Sequence, residues 1–195
     1  MRIILLVTLF LISSVTVLAQ REYTVTDARD GQTYAAIEYE IPLEGGVSIK
    51  RAWLTQNSNY ETAEGSYCYS DEPAYCEKFG RLYTYEAAKQ ACPEGYRIPT
   101  RKDWFMLFSL FGGISKSGQV LLEDGDSGMN ILLGGFGYSH EYYNKVGQEG
   151  NYWDSSEKGE KADGLMTFKL NDPTVHFDDG VGTKHLNSVR CIKIH

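Results

Sequence analysis

The sequence predicts an α+β domain with two early helices, several short strands and an irregular, glycine-rich second half. Two segments with helical character follow the N-cap residues Thr84 and Thr100. Short apolar runs, interrupted by turn residues, predict the strands. Between residues 115 and 164 glycine is frequent and no long periodic run occurs, so we expect loops joined by short strands there.

The strands are predicted in an early group and a late group. Residues 23–49 alternate between apolar and polar in places and are broken by glycine turns, which predicts two or three strands. Residues 52–54 form another short apolar run, and residues 57–73 are polar and predict a loop. Residues 165–170 and 187–194 are apolar and β-branched enough to predict the late strands.

The first helix is predicted immediately after Thr84, a residue type that favours the N-cap position. Residues 85–91 are rich in Ala, Glu, Gln and Lys, which are good helix formers. Pro93 and Gly95 follow and end the helix, because proline cannot continue it and glycine favours the position after it.

The second helix has stronger local signals. Thr100 and Asp103 have the spacing of a capping box, and Gly112 ends the apolar pattern. The apolar residues at helical spacing are Trp104, Leu107, Phe108 and Phe111. Such spacing favours packing in the core over an aromatic ligand-binding face. We expect Trp53 and Trp153 to lie in the core as well.

Composition and charge exclude several classes of protein. The 195 residues include 19 Lys and Arg and 26 Asp and Glu, which gives a net charge of −7. This charge, without a basic stripe, argues against a nucleic-acid-binding protein. A chain that is 42% hydrophobic and 23% charged is not a disordered tail. The length suits a single domain at residues 20–195 once a leader has been removed.

The N-terminus predicts a secretory signal peptide at residues 1–19. Arg2 precedes an apolar run, and Val17 and Ala19 occupy the positions that signal peptidase requires to be small or modest in size. The alternative is an N-terminal anchor helix, but the run is short for a membrane span. After Gln20 no apolar run is long enough to cross a membrane, so no membrane span is expected in the mature chain.

The four cysteines agree with export. An even number of cysteines in an exported chain favours two disulfides, for which three pairings are possible. The sequence favours Cys68–Cys76, which closes a loop around a good turn sequence, and Cys92–Cys191, which joins the end of the first predicted helix to the last strand. No two of the four cysteines are as close in the sequence as the Cys-x-x-Cys pairs typical of zinc sites.

Several segments of the sequence, in the same order along the chain, resemble the Fibrobacter succinogenes major paralogous domain. They are TVTDARDGQTY, FGRLYTYEAAKQACPEGYRIPT, GNYWDSSE and NSVRCIKIH, and the resemblance covers residues 23–195. The chain departs from the family pattern in residues 41–60, where the segment is longer, and at Arg97, where the family usually has histidine.

This resemblance implies a secreted module of the kind common in Bacteroidetes and Fibrobacter, in the periplasm or on the outer surface of a Gram-negative cell. It also implies a C-type-lectin-like fold, related to that of formylglycine-generating enzymes, with two helices, a small irregular antiparallel sheet and a long glycine-rich loop region. That fold implies a disulfide from the end of the first helix to the last strand, which again points to Cys92–Cys191.

One candidate ligand surface lies in the glycine-rich region. Aromatic and amide side chains suit stacking on sugar rings or contact with a protein, because they give contact area at low entropic cost. The residues concerned are Tyr138, His140, Tyr142, Tyr143 and Asn144. The alternative is that these side chains pack to hold a long loop in place.

Calcium is the one candidate cofactor. Asp154 and Glu157 lie where lectins of the implied fold bind calcium and sugar, and both offer oxygen ligands. No Glu-Pro-Asn or Gln-Pro-Asp sugar motif precedes them, and the alternative is a hydrogen-bonded turn. An EF-hand starting at Asp124 is excluded, because Met129 and Gly135 occupy the positions that require Gly and Glu.

These observations lead to a hypothesis of a non-catalytic recognition or adhesion module that binds a carbohydrate or a surface protein at the cell envelope. The alternatives are an enzyme (a formylglycine-type oxidase or a glycan-active hydrolase) and a structural component of a surface assembly. No hydrolase, metalloprotease or P-loop motif occurs, so no catalytic residue is predicted. His176 and His185 are interpreted as ordinary surface residues.

Overall fold

A computed structural model describes residues 20–155 and 164–194 of the chain. The predicted signal peptide, residues 1–19, and the candidate calcium ligand Glu157 lie outside these residues, so both stay predictions. The α+β class is confirmed, with many short strands and four short helices in the described residues. The sequence predicted two helices, and the described residues contain two more.

The helices are α1 (Pro73–Phe79), α2 (Tyr85–Ala88), α3 (Arg101–Leu110) and α4 (Ser117–Val120). The two predicted helices correspond to α2 and α3, and α2 is shorter than expected. Sequence reasoning missed α1, which begins with a proline at its first position and buries only Cys76 and Phe79. It also missed α4, a single turn within the glycine-rich region.

Both predicted helix starts are confirmed in atomic detail. The Thr84 side chain accepts a hydrogen bond from the backbone N–H of Ala87. At the start of α3 the Thr100 side chain accepts from the backbone N–H of Asp103, and the Asp103 carboxylate accepts from the backbone N–H of Thr100. These bonds satisfy backbone donors that the first turn of a helix otherwise leaves unpaired.

The strands form two main sheets and a hairpin. The five-stranded sheet has the order β1-β2-β3-β13-β6, the six-stranded sheet has the order β11-β10-β9-β12-β5-β4, and β7 pairs with β8. The strands are β1 (Gln20–Thr26), β2 (Thr33–Pro42), β3 (Ser48–Leu54), β4 (Ser66–Tyr67), β5 (Leu82–Tyr83), β6 (Tyr96–Arg97), β7 (Phe136–Ser139), β8 (Tyr142–Asn144), β9 (Glu149–Trp153), β10 (Leu165–Lys169), β11 (His176–Asp178), β12 (Asn187–Ser188) and β13 (Ile192–Lys193). One small sheet was expected, whereas the described residues form two larger sheets and a separate hairpin.

Two strand predictions need correction in detail. Residues 52–54 are the end of β3 and not a separate strand. Residues 187–194 hold two strands, β12 and β13, which belong to different sheets. The chain changes sheets between them at Arg190, whose side chain is buried in the interior and makes hydrogen bonds to carbonyl oxygens there.

The core lies between the two main sheets and α3. Trp53 of the first sheet packs on Trp104 of α3, with ring centroids 4.8 Å apart, and Trp104 in turn contacts Tyr152 and Phe168 of the second sheet. A second cluster surrounds Trp153, whose indole N–H donates to the backbone oxygen of Tyr83 over 2.7 Å. The prediction that the tryptophans form the core is confirmed.

Both predicted disulfides are confirmed. Cys68 bonds Cys76 across a separation of 8 residues, and Cys92 bonds Cys191 across 99 residues. Every cysteine of the chain is therefore paired. Disulfides persist in oxidising compartments, so this pairing indicates a location outside the cytoplasm. Among the residues described here, no helix has the length and apolar character that crossing a bilayer requires.

Candidate functional site

The outer face of the six-stranded sheet forms a groove. Along β9 and β10, side chains alternate between two faces, so that Tyr152 and Met166 enter the core while Asn151 and Thr167 take the opposite face. Thr167 pairs with Asn151 on one side and with His176 of β11 on the other. Three polar side chains are therefore aligned across three neighbouring strands.

Asn187 extends this alignment to a fourth strand. On β12, Ser188 pairs in parallel with Tyr152 of β9, which places Asn187 beside Asn151. We name the four aligned residues, His176, Thr167, Asn151 and Asn187, the polar row. At the usual spacing of neighbouring strands, the polar row is about 14 Å long.

The groove above the polar row has a volume of about 900 Å³, within the range of small-molecule sites. One rim is aromatic, since Phe136 and Tyr138 of β7 contact each other with ring centroids 5.4 Å apart. Tyr138 also meets His185 edge-on, with centroids 5.2 Å apart. On β11, Phe177 pairs with Met166, so its ring lies on the other face of the sheet, against Phe105 of α3.

Backbone hydrogen bonds hold the aromatic rim in place. The N–H of Gly137 donates to the oxygen of Leu186, and the N–H of Leu186 donates to the oxygen of Gly137, both over 2.8 Å. Leu186 directly precedes the polar-row residue Asn187. These two bonds hold the backbone of β7 beside the residue that precedes β12, next to the polar row.

The polar row contains two buried polar atoms without partners. Asn151 is 7% exposed and Asn187 is 1% exposed. Within the described part of the chain, Asn151 Oδ1 and Asn187 Nδ2 have no hydrogen-bond partner. A buried polar group that lacks a partner is destabilising, and such atoms are uncommon in folded proteins. Asn151 Oδ1 is a hydrogen-bond acceptor by its chemistry, and Asn187 Nδ2 is a donor.

Charges of both signs lie at the ends of the groove. Glu149 and Lys169 are paired in the strand register at one end, and Asp178 and Asp179 line the other. Asp179 is ion-paired with Arg101. The lining thus has a small acidic excess and no basic patch.

One lining histidine has a fixed partner. His176 lies 2.8 Å from the carboxylate of Asp172, and the hydrogen bond from His176 lowers the pKa of that carboxyl. His176 and His185 both line the groove, where His176 is exposed and His185 is partly exposed. The signal that would have placed them is strand pairing, which a single sequence does not state.

The comparison with protein families decides where this chain belongs. The profile of the Fibrobacter succinogenes major domain matches residues 23–193. The chain is a member of that family. The matched residues include both main sheets except the first three residues of β1, both disulfides and the whole groove. No curated protein and no solved structure matches the chain significantly.

In this Fibrobacter succinogenes major domain the candidate ligand residues lie on the β7–β8 hairpin but do not form one surface. Tyr138 lines the groove, and Tyr142 packs beside it with centroids 5.6 Å apart. Tyr143 points to the other face of the hairpin and packs on Tyr69, with centroids 5.1 Å apart. Burial, with the Asp71 carboxylate nearby, raises the pKa of Tyr143.

The remaining two candidate ligand residues also lie apart from the groove lining. His140 stacks on Tyr67 with ring centroids 5.5 Å apart. Asn144 is partly buried and pairs with Phe136 in the hairpin. Tyr143 and His140 therefore pack against the segment that contains β4, and of the five candidates Tyr138 alone is among the residues that line the groove.

Asp154, the candidate calcium ligand that the structure describes, is buried and engaged by protein groups. Arg101 donates to Asp154 Oδ2 through Nε at 3.1 Å and Nη2 at 3.0 Å. The backbone N–H of Gly164 donates to Asp154 Oδ1 over 3.2 Å. Within residues 20–155 and 164–194 no group of three or more His, Cys, Asp or Glu side chains is placed to hold a metal ion.

The asparagines of the polar row were missed by sequence reasoning. Asn151 lies among the buried residues of β9 and Thr167 among those of β10, so each is a polar residue within an otherwise apolar strand. That pattern was the available signal. It does not identify Asn187 as their neighbour, because that contact depends on the pairing of β9 with β12.

Proposed function

We propose that this chain is a secreted, non-catalytic recognition module that binds a carbohydrate at the bacterial cell envelope through the groove. The observation on which this depends is the combination of an exposed aromatic rim with a hydrogen-bonding floor. Tyr138 is 50% exposed above the polar row. A sugar ring has an apolar face that stacks on aromatic rings, and its hydroxyls suit amide and hydroxyl side chains.

The disulfides support both the location and the lack of catalysis. Two disulfides favour an oxidising compartment, which agrees with a signal peptide at residues 1–19 and with the periplasm or outer surface of a Gram-negative cell. A formylglycine-type oxidase needs reactive thiols, and here all four sulfurs are bonded to each other. This favours a binding module over that kind of enzyme.

The arrangement of elements also supports a C-type-lectin-like relationship, which we include in the proposal. The fold that the resemblance implies has two helices, a small irregular sheet and a disulfide from the end of the first helix to the last strand. The disulfide is the feature that agrees, since Cys92 follows α2, the first helix predicted from the sequence, and Cys191 directly precedes β13. Calcium is not part of the proposed binding mode, because the Asp154 carboxylate is engaged by Arg101 and Gly164.

A glycan array tests this proposal. Oxidised protein spanning residues 20–195 is applied with calcium and again with chelator, and binding should be retained in chelator. Tyr138→Ala should weaken binding by about tenfold, which corresponds to about 1.4 kcal/mol. Tyr75→Ala is the matched control, since Tyr75 packs on Tyr69 of another surface and does not line the groove.

The outcomes separate the alternatives. Equal affinity of wild type and Tyr138→Ala would remove the groove from the proposal. Binding lost in chelator would instead favour a calcium-dependent site. If no glycan binds under either condition, a protein partner or a structural role in a surface assembly would replace the carbohydrate, and pull-down from envelope extract would follow.

A further inference from the structure

We infer that β1 pairs edge to edge with β1 of a second copy of this chain, which joins the two five-stranded sheets into one continuous sheet. The pairing is antiparallel, so the dimer has a two-fold axis and each copy contributes the same surface. This inference goes beyond the proposed function and is independent of it. None of the residues that line the groove belongs to β1, so the contact does not use the groove.

The first observation is the length of the β1 edge. Within the described residues β1 has seven residues, whereas the other edge strands of the two main sheets, β4, β6 and β11, have two or three. Very short edge strands, prolines and bulges all hinder pairing with another chain. β1 contains no proline and pairs with β2 without a bulge. A long, regular edge of this kind is a template for another strand.

The second observation is that the outer edge of β1 presents unpaired backbone groups. In the turn after β1 the N–H of Asp27 donates to the oxygen of Gln32 over 2.8 Å, and this bond fixes which residues of the hairpin bond to each other. The even-numbered residues of β1 therefore direct their N–H and C=O groups away from β2. They are Gln20, Glu22, Thr24 and Thr26. Within the described residues no other backbone group bonds to them.

The third observation is that β1 is complementary to itself in one register. The outward-facing residues must form the hydrogen-bonded pairs, so the two-fold axis passes through a residue. With the axis at Tyr23 the whole strand is paired, Arg21 faces Val25 of the second copy, and Glu22 faces Thr24. An axis at Glu22 or Thr24 would pair fewer residues, and the axis at Glu22 would also place two carboxylates opposite each other, which is destabilising.

The position of the axis residue is fixed within each copy. The hydroxyls of Tyr23 and Tyr96 share a hydrogen bond of 3.1 Å, and the half-buried Tyr23 side chain packs against the cluster around Trp153. At the axis, Tyr23 faces Tyr23 of the second copy in a non-hydrogen-bonded pair, where side chains on opposite strands are closest. Aromatic pairs across neighbouring strands stabilise a sheet. A second copy therefore matches this edge in both its backbone groups and its side chains.

Sedimentation velocity over micromolar to millimolar concentrations tests the dimer. The oxidised protein spans residues 20–195 and has any purification tag at its C-terminus, so that β1 stays free. We expect wild type to dimerise with a micromolar dissociation constant, because one strand pair is a small interface. Thr24→Pro should raise this constant at least tenfold, since proline removes an outward N–H and leaves the bonds to β2 in place. Thr24→Val keeps the N–H and is the matched control.

Tyr23→Cys tests the register. In the inferred pair the two substituted positions have Cα atoms about 4.5 Å apart, so mild oxidation should link two copies by a disulfide. Val25→Cys is the control, because Val25 is also half-buried and lies on the same face of β1. Its two copies would be about 13 Å apart along the strands, beyond the reach of a disulfide. Thermal unfolding of dilute samples verifies that each variant is folded.

Other results would overturn the inference. A wild type that stays monomeric over the whole concentration range, or a dimer that Thr24→Pro leaves unchanged, would show that β1 does not pair with a second copy. Cross-linking of both cysteine variants, or of neither, would overturn the register and with it the inferred pairing. Glycan binding is measured separately on the array, so the proposed function can fail while the dimer stands, and the reverse.

Discussion

Arg190 Nη2 donates a hydrogen bond to Asn57 Oδ1 over 2.8 Å in the interior of the protein, across a separation of 133 residues. The other hydrogen bonds of this guanidinium go to the backbone oxygens of Leu54, Met129 and Asn130. Within the described residues no carboxylate forms an ion pair with Arg190. Burial lowers its pKa, and the carbonyl dipoles hold the charge.

Replacing Arg190 with Met should strongly destabilise the fold. The substitution leaves three buried acceptors and one partly buried acceptor without their donor, and an unsatisfied buried polar group costs about 1–3 kcal/mol. We expect a loss of at least about 3 kcal/mol in the free energy of unfolding, measured by urea denaturation. Arg21→Met, at an exposed position of β1, is the control. A loss equal to that of the control would contradict this role.

The two disulfides should contribute unequally. In the loop-entropy model the 99-residue separation of Cys92 and Cys191 gives about 4–5 kcal/mol, and the 8-residue separation of Cys68 and Cys76 gives about 2–3 kcal/mol. We therefore expect the Cys92→Ala/Cys191→Ala variant to unfold at lower urea than Cys68→Ala/Cys76→Ala. The reverse order would show that local strain or residual structure in the unfolded chain outweighs loop closure.

The helices and strands that could be predicted from the sequence are those whose determining residues lie close together in the chain. Helix α3 was predicted because its capping box and apolar spacing all lie within residues 100–111. Helix α1 was missed because only Cys76 and Phe79 are buried in it, and because Cys76 is fixed by a disulfide to Cys68, outside the helix. Tertiary contacts and not periodicity determine such a helix.

The groove was beyond sequence reasoning for the same reason. Aromatic composition pointed to the β7–β8 hairpin, where Tyr138 alone of the five candidate residues lines the groove. The floor, however, combines Asn151, Thr167 and Asn187 from three strands, and the parallel contact between β9 and β12 brings the first and the last together. A contact of that kind leaves no pattern within any one segment.

Asp103 should make stability depend on pH. Burial alone would raise its pKa, but hydrogen bonds from Arg97 and Thr100 outweigh burial and lower it. The carboxylate therefore stabilises the fold fully above its unfolded pKa near 4, and this contribution is lost as the pH falls through the lower folded pKa.

The variant Asp103→Asn tests this dependence. Its deficit in the free energy of unfolding should be constant between pH 5 and 7 and should shrink as the pH falls below about 4. Urea denaturation at each pH measures the deficit, with Asp126→Asn, at an exposed position, as the control for loss of one carboxylate. A deficit that persists undiminished at the lowest pH would show that charge on Asp103 is not its source.

Calcium should leave thermal unfolding unchanged. Oδ1 of Asp154 accepts from the N–H of Gly164 and Oδ2 accepts from Arg101, so both carboxylate oxygens are engaged by protein donors. An ion that bound the folded chain but not the unfolded chain would raise the unfolding temperature, by an amount that grows with the ratio of the ion concentration to its dissociation constant. Calorimetry with calcium and with chelator measures this, and a clear rise in calcium would restore Asp154 and Glu157 as ligands.

Gly164→Ala should weaken the same ion pair without touching either charge. A Cβ atom at Gly164 would lie 1.7 Å from Arg101 Nη2 and 2.3 Å from Asp154 Oδ2, so the guanidinium or the strand end must move. Gly182→Ala is the matched control, since the nearest atom to its Cβ would be 3.5 Å away. We expect Gly164→Ala to lower the unfolding temperature and Gly182→Ala to leave it nearly unchanged. Equal midpoints for the two variants would mean that this strand end adjusts freely, and that the contact of Arg101 with Asp154 does not require glycine beside it.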